Sequence, residues 1–199
     1  MTQDNADNTG APELAGRRVL VGVTGGIAAY KTAALVSRLV QAGADVTVLM
    51  TPGATEFVTP LTFQALSGRP VYTSAWEHVE SHDPQHIALA SAAEVAVVAP
   101  CTMDCLARLA SGRADDVVSL VLSAIDRART PVLLAPSMNR VMWSQPATQR
   151  NVRTLVEDGY EMVGPGDGWQ ACRQVGAGRM AEAEALYEAV RRALGVRTG

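Results

Sequence analysis

Aromatic residues are scarce in this chain, at 5% of its 199 positions, and there are only three cysteines. An odd, small number of thiols argues against a disulfide framework and fits a reducing cytosol. Neither charge sign is in large excess: 17 Lys and Arg against 20 Asp and Glu give a net charge of −3. That balance offers no basic field, so nucleic acid is not an expected partner. No run approaches the roughly 20 apolar residues that a membrane-spanning helix needs, so a membrane is not expected either. Residues 1–16 are polar and acidic and contain Gly and Pro. They lack the basic start and apolar stretch of a signal peptide and are expected to form a disordered tail. What remains is a cytoplasmic globular protein, with one domain over 17–199 that is large enough for a sizeable core.

Aliphatic residues dominate, and they fall into short runs that alternate with helical periodicity. Arg18 to Thr24, Asp45 to Met50, Val71 to Thr73, Glu94 to Pro100, Pro131 to Ala135 and Tyr160 to Val163 read as strands. Ile27 to Gln41, Asp104 to Ala110, Asp115 to Ile125, Gln149 to Glu157 and Ala181 to Leu194 read as helices. Residues 164–178, with five glycines, read as a loop. Strands alternating with helices predict an α/β fold, a parallel sheet covered by helices on both faces. In such sheets ligands bind beyond the carboxyl ends of the strands.

Three segments with chemical potential stand at or near such ends. Gly25 and Gly26 follow the first strand and open a helix, an arrangement that aims backbone N–H groups at an anion. The pattern is neither a Rossmann G-x-G-x-x-G nor a Walker A loop, because Tyr30 stands where the glycine before Lys31 would be. A mononucleotide or a plain structural turn remains. Pro136 to Trp143 follows another strand and offers the Asn139 amide beside Met138 and Met142. These suit a ligand with an amide or carboxylate head, or simply a helix N-cap with two core methionines. Gly168 to Met180 has glycines at both ends and Cys172 within it, as a lid would. His78, His82 and His86 have a four-residue spacing that could ligate a metal, but Pro84 interrupts the helix needed to align them, and no metal is expected.

Together these segments resemble the homo-oligomeric flavin-containing cysteine decarboxylases, over Arg18 to about Leu194. In that family a Gly-Gly-Ile-Ala-Ala-Tyr-Lys turn, here Gly25 to Lys31, contacts flavin mononucleotide (FMN). The active-site histidine lies in His-Ile-x-Leu, here His86 to Leu89. The substrate-binding asparagine lies in Pro-x-Met-Asn-x-x-Met-Trp, here Pro136 to Trp143. The lid cysteine lies in Cys-x-x-x-Gly-x-Gly-Arg-Met, here Cys172 to Met180.

The resemblance implies a three-layer α/β/α fold, Rossmann-like and of flavodoxin type, with a lid at about 164–180. It implies catalytic roles for His86 and Cys172 and substrate contacts at Asn139, Met142 and Ala171. FMN contacts would fall at Gly25, Gly26, Ile27, Thr51, Phe63, Thr102 and Ser123. The implied reaction converts 4′-phosphopantothenoylcysteine to 4′-phosphopantetheine in coenzyme A biosynthesis. It proceeds by flavin oxidation at the thiol-bearing carbon, loss of CO2 and re-reduction of the enethiol, with Cys172 as proton donor. The FMN would lie between subunits of a homotrimer, with His86 reaching a neighbour's flavin, and trimers can assemble into dodecamers. Two other readings share the flavin: a peptidyl-cysteine decarboxylase of lantibiotic type, and a non-catalytic FMN-binding regulatory protein. The chain departs from the family's frequent Ala-Pro-Ala-Thr-Ala-Asn at Cys101, Met103 and Asp104, and carries Arg173 where glycine often follows the lid cysteine.

Overall fold

A computed structural model describes residues 12–76, 85–169 and 175–196. Six parallel strands form one sheet: β1 Arg18–Val23, β2 Asp45–Met50, β3 Val71–Tyr72, β4 Val95–Cys101, β5 Val132–Pro136 and β6 Glu161–Met162. Their order is β3-β2-β1-β4-β5-β6. Setting aside the two-residue edge strand β3 leaves five strands in the flavodoxin order. The chain leaves β1 toward β2 on one side and later continues from β4 to β5 on the other, so the sheet's switch point lies between β1 and β4. That is where a crevice opens in such sheets.

Burial explains why the central strands are almost wholly apolar: every residue of β4 and β5 is buried. Side-chain alternation splits them between two cores. Val19, Val21, Val23, Val95, Val97, Ala99, Leu133 and Ala135 face one side, against helices α1 (Ala29–Gln41), α3 (Pro60–Ser67) and α9 (Ala183–Ala193). Leu20, Ala96, Val98, Val132 and Leu134 face the other, against α5 (Met103–Ala110), α6 (Val117–Ser123) and α8 (Pro146–Glu157). The apolar stripe of α1 is Ala29, Thr32, Leu35, Val36 and Leu39, and Thr32 satisfies its buried hydroxyl by donating to the Ala99 carbonyl at 2.6 Å. The shorter helices are α2 (Pro52–Thr55), α4 (Gln85–Ala92) and α7 (Arg140–Trp143). None of the described helices is long and apolar enough to cross a membrane.

Two expectations change. Residues 12–16 are not part of a disordered tail: Leu14 is fully buried in the core below α1 and α9, and its N–H donates to the Ala42 carbonyl at 2.8 Å. One leucine in a polar stretch has apolar surface to bury, and Glu13 secures it by accepting from the Tyr187 hydroxyl at 2.9 Å and pairing with Arg191. Residues 1–11 lie outside the described residues. The glycine-rich stretch is also no plain loop, since β7 (Gly166–Trp169) and β8 (Val175–Arg179) pair as an antiparallel hairpin. Glycine lowers strand propensity, which hid these strands from a reading of side-chain periodicity.

Cys101 closes β4 and is fully buried, and burial together with neighbouring Cys105 pushes its thiol well above the ordinary range. The folded protein therefore keeps a proton that the unfolded chain gives up above about pH 8.5. The thiol's contribution to stability is full below that pH and is lost as pH rises toward the folded value. Cys101→Ala is expected to flatten the fall of Tm between pH 8 and 10 relative to the parent chain (about those limits, from the ordinary thiol range). An equally steep fall in the variant would show that other groups govern alkaline stability.

Candidate functional site

A cavity of about 1090 Å³ opens at the carboxyl ends of β1, β2, β4 and β5. Its size exceeds the upper range of single-ligand pockets, about 1,000 Å³, and leaves room for a cofactor and a substrate together. The floor comes from the turns after β1 and β2. Gly25 and Gly53 meet there backbone to backbone, so closely that a Cβ on Gly25 would lie 2.8 Å from the Gly53 carbonyl carbon. Thr51 caps α2, accepting from the Ala54 N–H at 3.3 Å, and its own N–H donates to the Val23 carbonyl at 3.0 Å, which joins the two turns.

The switch point itself is tied by Thr24 and Thr102. The buried Thr24 hydroxyl donates to the Pro100 carbonyl at 2.7 Å and accepts from the Thr102 N–H at 3.1 Å. Thr102 then caps α5 by accepting from the Cys105 N–H at 3.2 Å. The opposite wall is the segment after β5. Ser137 N–H donates to the Cys101 carbonyl at 3.0 Å and Met138 N–H to the Gly178 carbonyl at 2.9 Å, which pins the segment between β4 and β8. Asn139 follows as the N-cap of α7, its Oδ1 accepting from the Val141 N–H at 2.7 Å. Because an N–H fixes the oxygen on that side, the opposite end of the side chain is the amide NH2.

Charge on the cavity wall is unevenly distributed. At one end Arg108 is bonded to Asp104 and Asp115 and lies 3.8 Å from Asp116, so carboxylates outnumber it. At the other end the cations outnumber the acids. Lys31, from α1, and Arg179, from β8, both bond Oε1 of the single carboxylate Glu182. The hydrogen bond from Lys31 holds that carboxyl below its ordinary range, with Arg179 adding to the effect.

Gly25, Gly26, Ile27, Thr51, Thr102, Asn139 and Met142 all line this cavity. Three implied site residues do not. Phe63 is fully buried on α3 and is a core residue behind the wall rather than part of it. Ser123 is exposed at the end of α6, its hydroxyl donating to the Ser119 carbonyl at 2.8 Å. His86 is the second residue of α4, partly exposed and away from the cavity. Cys172, Ala171, His78 and His82 lie outside the described residues. Thr24, Gly53 and Met180 are wall residues not singled out from sequence. A hydroxyl residue ending a buried strand was the readable signal for Thr24. Only the fold places Gly53 opposite Gly25.

A family model described as Flavoprotein matches residues 8–195. The coenzyme A biosynthesis bifunctional protein CoaBC of Vibrio cholerae is 47% identical over 169 residues, which cover 85% of this chain and 42% of that protein. The chain thus spans less than half the length of this relative. Among solved structures, a PPC decarboxylase cysteine-to-serine mutant complexed with pantothenoylaminoethenethiol superposes with a TM-score of 0.81 at 29% identity, covering 89% of this chain and 97% of that one. The FMN-dependent cysteine decarboxylase SpaF gives 0.77 at 33% identity, covering 90% and 98%.

Proposed function

The chain belongs to the Flavoprotein family, and from that premise we propose that it binds FMN and decarboxylates 4′-phosphopantothenoylcysteine to 4′-phosphopantetheine, a carboxy-lyase step of coenzyme A biosynthesis. The observation that carries this reading is the single cavity in which the glycine turn, Thr51, Thr102, Asn139, Met142 and the foot of the 166–179 hairpin meet. The relatives' functions agree with it.

The residues present fit FMN. The Gly25–Gly53 approach keeps the floor low and leaves backbone N–H groups to face an anion, while Ile27 and Met180 give apolar wall. Bound FMN would supply a two-electron acceptor for the thiol-bearing carbon, which no side chain offers, and would return the electrons later. Asn139 holds the substrate's carboxylate and amide through its NH2 end, with Met142 beside it. Cys172, carried between β7 and β8, gives the proton that completes the product. A thiol with pKa near ~8.5 is protonated at neutral pH, as an acid must be. Closing 164–180 over the cavity excludes water from the reactive sulfur compound.

His86 and Ser123 stand outside their own chain's cavity, which suits a site completed by a second copy. Ile27 and Tyr30, at the cavity's rim, are 57% and 61% exposed, an apolar surface that such a copy would cover. We therefore place the FMN between subunits of a homotrimer in the cytoplasm, with His86 assisting decarboxylation at the neighbour's site.

Mass spectrometry of phosphopantothenoylcysteine incubated with the flavin-loaded protein tests the reading. The expected product has lost one CO2 with no net oxidation. Cys172→Ser is expected to release CO2 and accumulate the oxidised, unsaturated enethiol instead. Unchanged substrate with FMN confirmed bound would refute the activity, and turnover only of peptides ending in cysteine would transfer the reading to a peptidyl-cysteine decarboxylase.

A further inference from the structure

We infer that Lys31 and Arg179 form the subsite for a phosphate monoester, the one at the far end of the substrate. This inference rests on the proposed function for the identity of that ligand. Three cations line the cavity among the described residues, and Arg108 is already surrounded by Asp104, Asp115 and Asp116. Lys31 and Arg179 differ, since the one carboxylate of Glu182 serves both, bonded by Lys31 through both its oxygens, and leaves them a net positive charge between them.

That pair is held in place from several sides. The Lys31 side chain is only 16% exposed and lines the cavity, its Nζ bonded to Glu182 at 2.9 Å. The Arg179 side chain lies across Gly168 on β7, where a Cβ would stand 3.0 Å from its Nη1, so the glycine makes room for the guanidinium. Glu182 is the N-cap residue of α9, yet its carboxylate bonds no N–H of that helix and turns to the two cations. That carboxylate offers the two cations a single negative charge. A phosphate monoester, with up to two charges and three acceptor oxygens, is the better counter-ion for an ammonium and a guanidinium together.

Arg179 is also tied to the wall that carries Asn139. Gly178, next to Arg179, accepts from the Met138 N–H, next to Asn139. One hydrogen-bonded strip therefore carries the amide that grips the reacting end and the guanidinium that grips the phosphate.

Calorimetry of the FMN-loaded protein with 4′-phosphopantetheine and with pantetheine reads the subsite without turnover. The parent protein is expected to prefer the phosphorylated ligand, and the preference should shrink as salt rises. Arg179→Gln and Lys31→Gln each remove one charged hydrogen-bond donor and should lower the preference by about 10- to 100-fold. Both substitutions break only partly exposed ion pairs, so Tm serves as the folding control. An undiminished preference in both variants would overturn the assignment. So would a loss of discrimination between FMN and riboflavin in its place, which would give the cations to the cofactor's phosphate. A parent protein that shows the preference yet decarboxylates nothing would sink the proposed activity and leave the subsite standing.

Discussion

Gly25→Ala is expected to yield protein that has lost its flavin, with bound absorbance below about a tenth of the parent's, because overpacking here falls on backbone that cannot change rotamer. The added Cβ would lie 2.8 Å from the Gly53 carbonyl carbon, 2.9 Å from its oxygen and 3.0 Å from its Cα. Only a separation of the two turns can relieve that contact, and those turns are the cavity floor. Thr51 would move with them, since its N–H is bonded to the Val23 carbonyl just before the glycine turn. The effect is one of space and not of backbone strain.

Gly26→Ala is the matched control. Its Cβ would meet Thr102 Cγ2 at 3.5 Å and Pro100 Cγ at 3.8 Å, both ordinary side-chain contacts. It should keep several times more flavin than Gly25→Ala, as read by absorbance after gel filtration. Equal retention by the two variants would show that the Gly25–Gly53 approach plays no part in holding the cofactor.

The same pair of glycines shows how far the sequence could be read. Gly25 and Gly26 stand between a strand and a helix, so a turn at the sheet's carboxyl edge was legible from spacing alone. Gly53 is 28 residues away and becomes a partner only when β1 and β2 pair, which no local pattern announces. The central strands were equally legible, because β4 and β5 are buried on both faces and carry unbroken apolar runs. β7 and β8 were not, because a hairpin built on glycine presents too few side chains for a period to show. The start of the domain was misjudged for a related reason: Leu14 is one apolar residue among polar ones, and its burial depends on α9, some 170 residues later. The Asn139 segment was legible by its motif, and the fold sets it at the N-terminus of α7 on the cavity wall. Its Oδ1 caps the helix, and the residue also lines the cavity.

That double role makes Asn139→Asp the sharpest substitution at the site. Aspartate caps helices as well as asparagine does, so its carboxylate can still accept from the Val141 N–H, now 2.7 Å from Oδ1. α7 and the Tm should survive. At the other end an amide donor becomes an acceptor with negative charge, facing the position assigned to the substrate's carboxylate. The loss of a hydrogen bond to a charged group and the like-charge approach act in the same direction, and kcat/KM is expected to fall by about 100-fold or more. FMN should remain bound, because the glycine turn and Thr51 are untouched. Asn139→Ser, which also caps but carries no charge, should fall less than Asn139→Asp. Activity of Asn139→Asp within about threefold of the parent's, less than one lost charged hydrogen bond would cause, would reduce Asn139 to a helix cap. The grip on the substrate's reacting end would then have to come from elsewhere on the cavity wall.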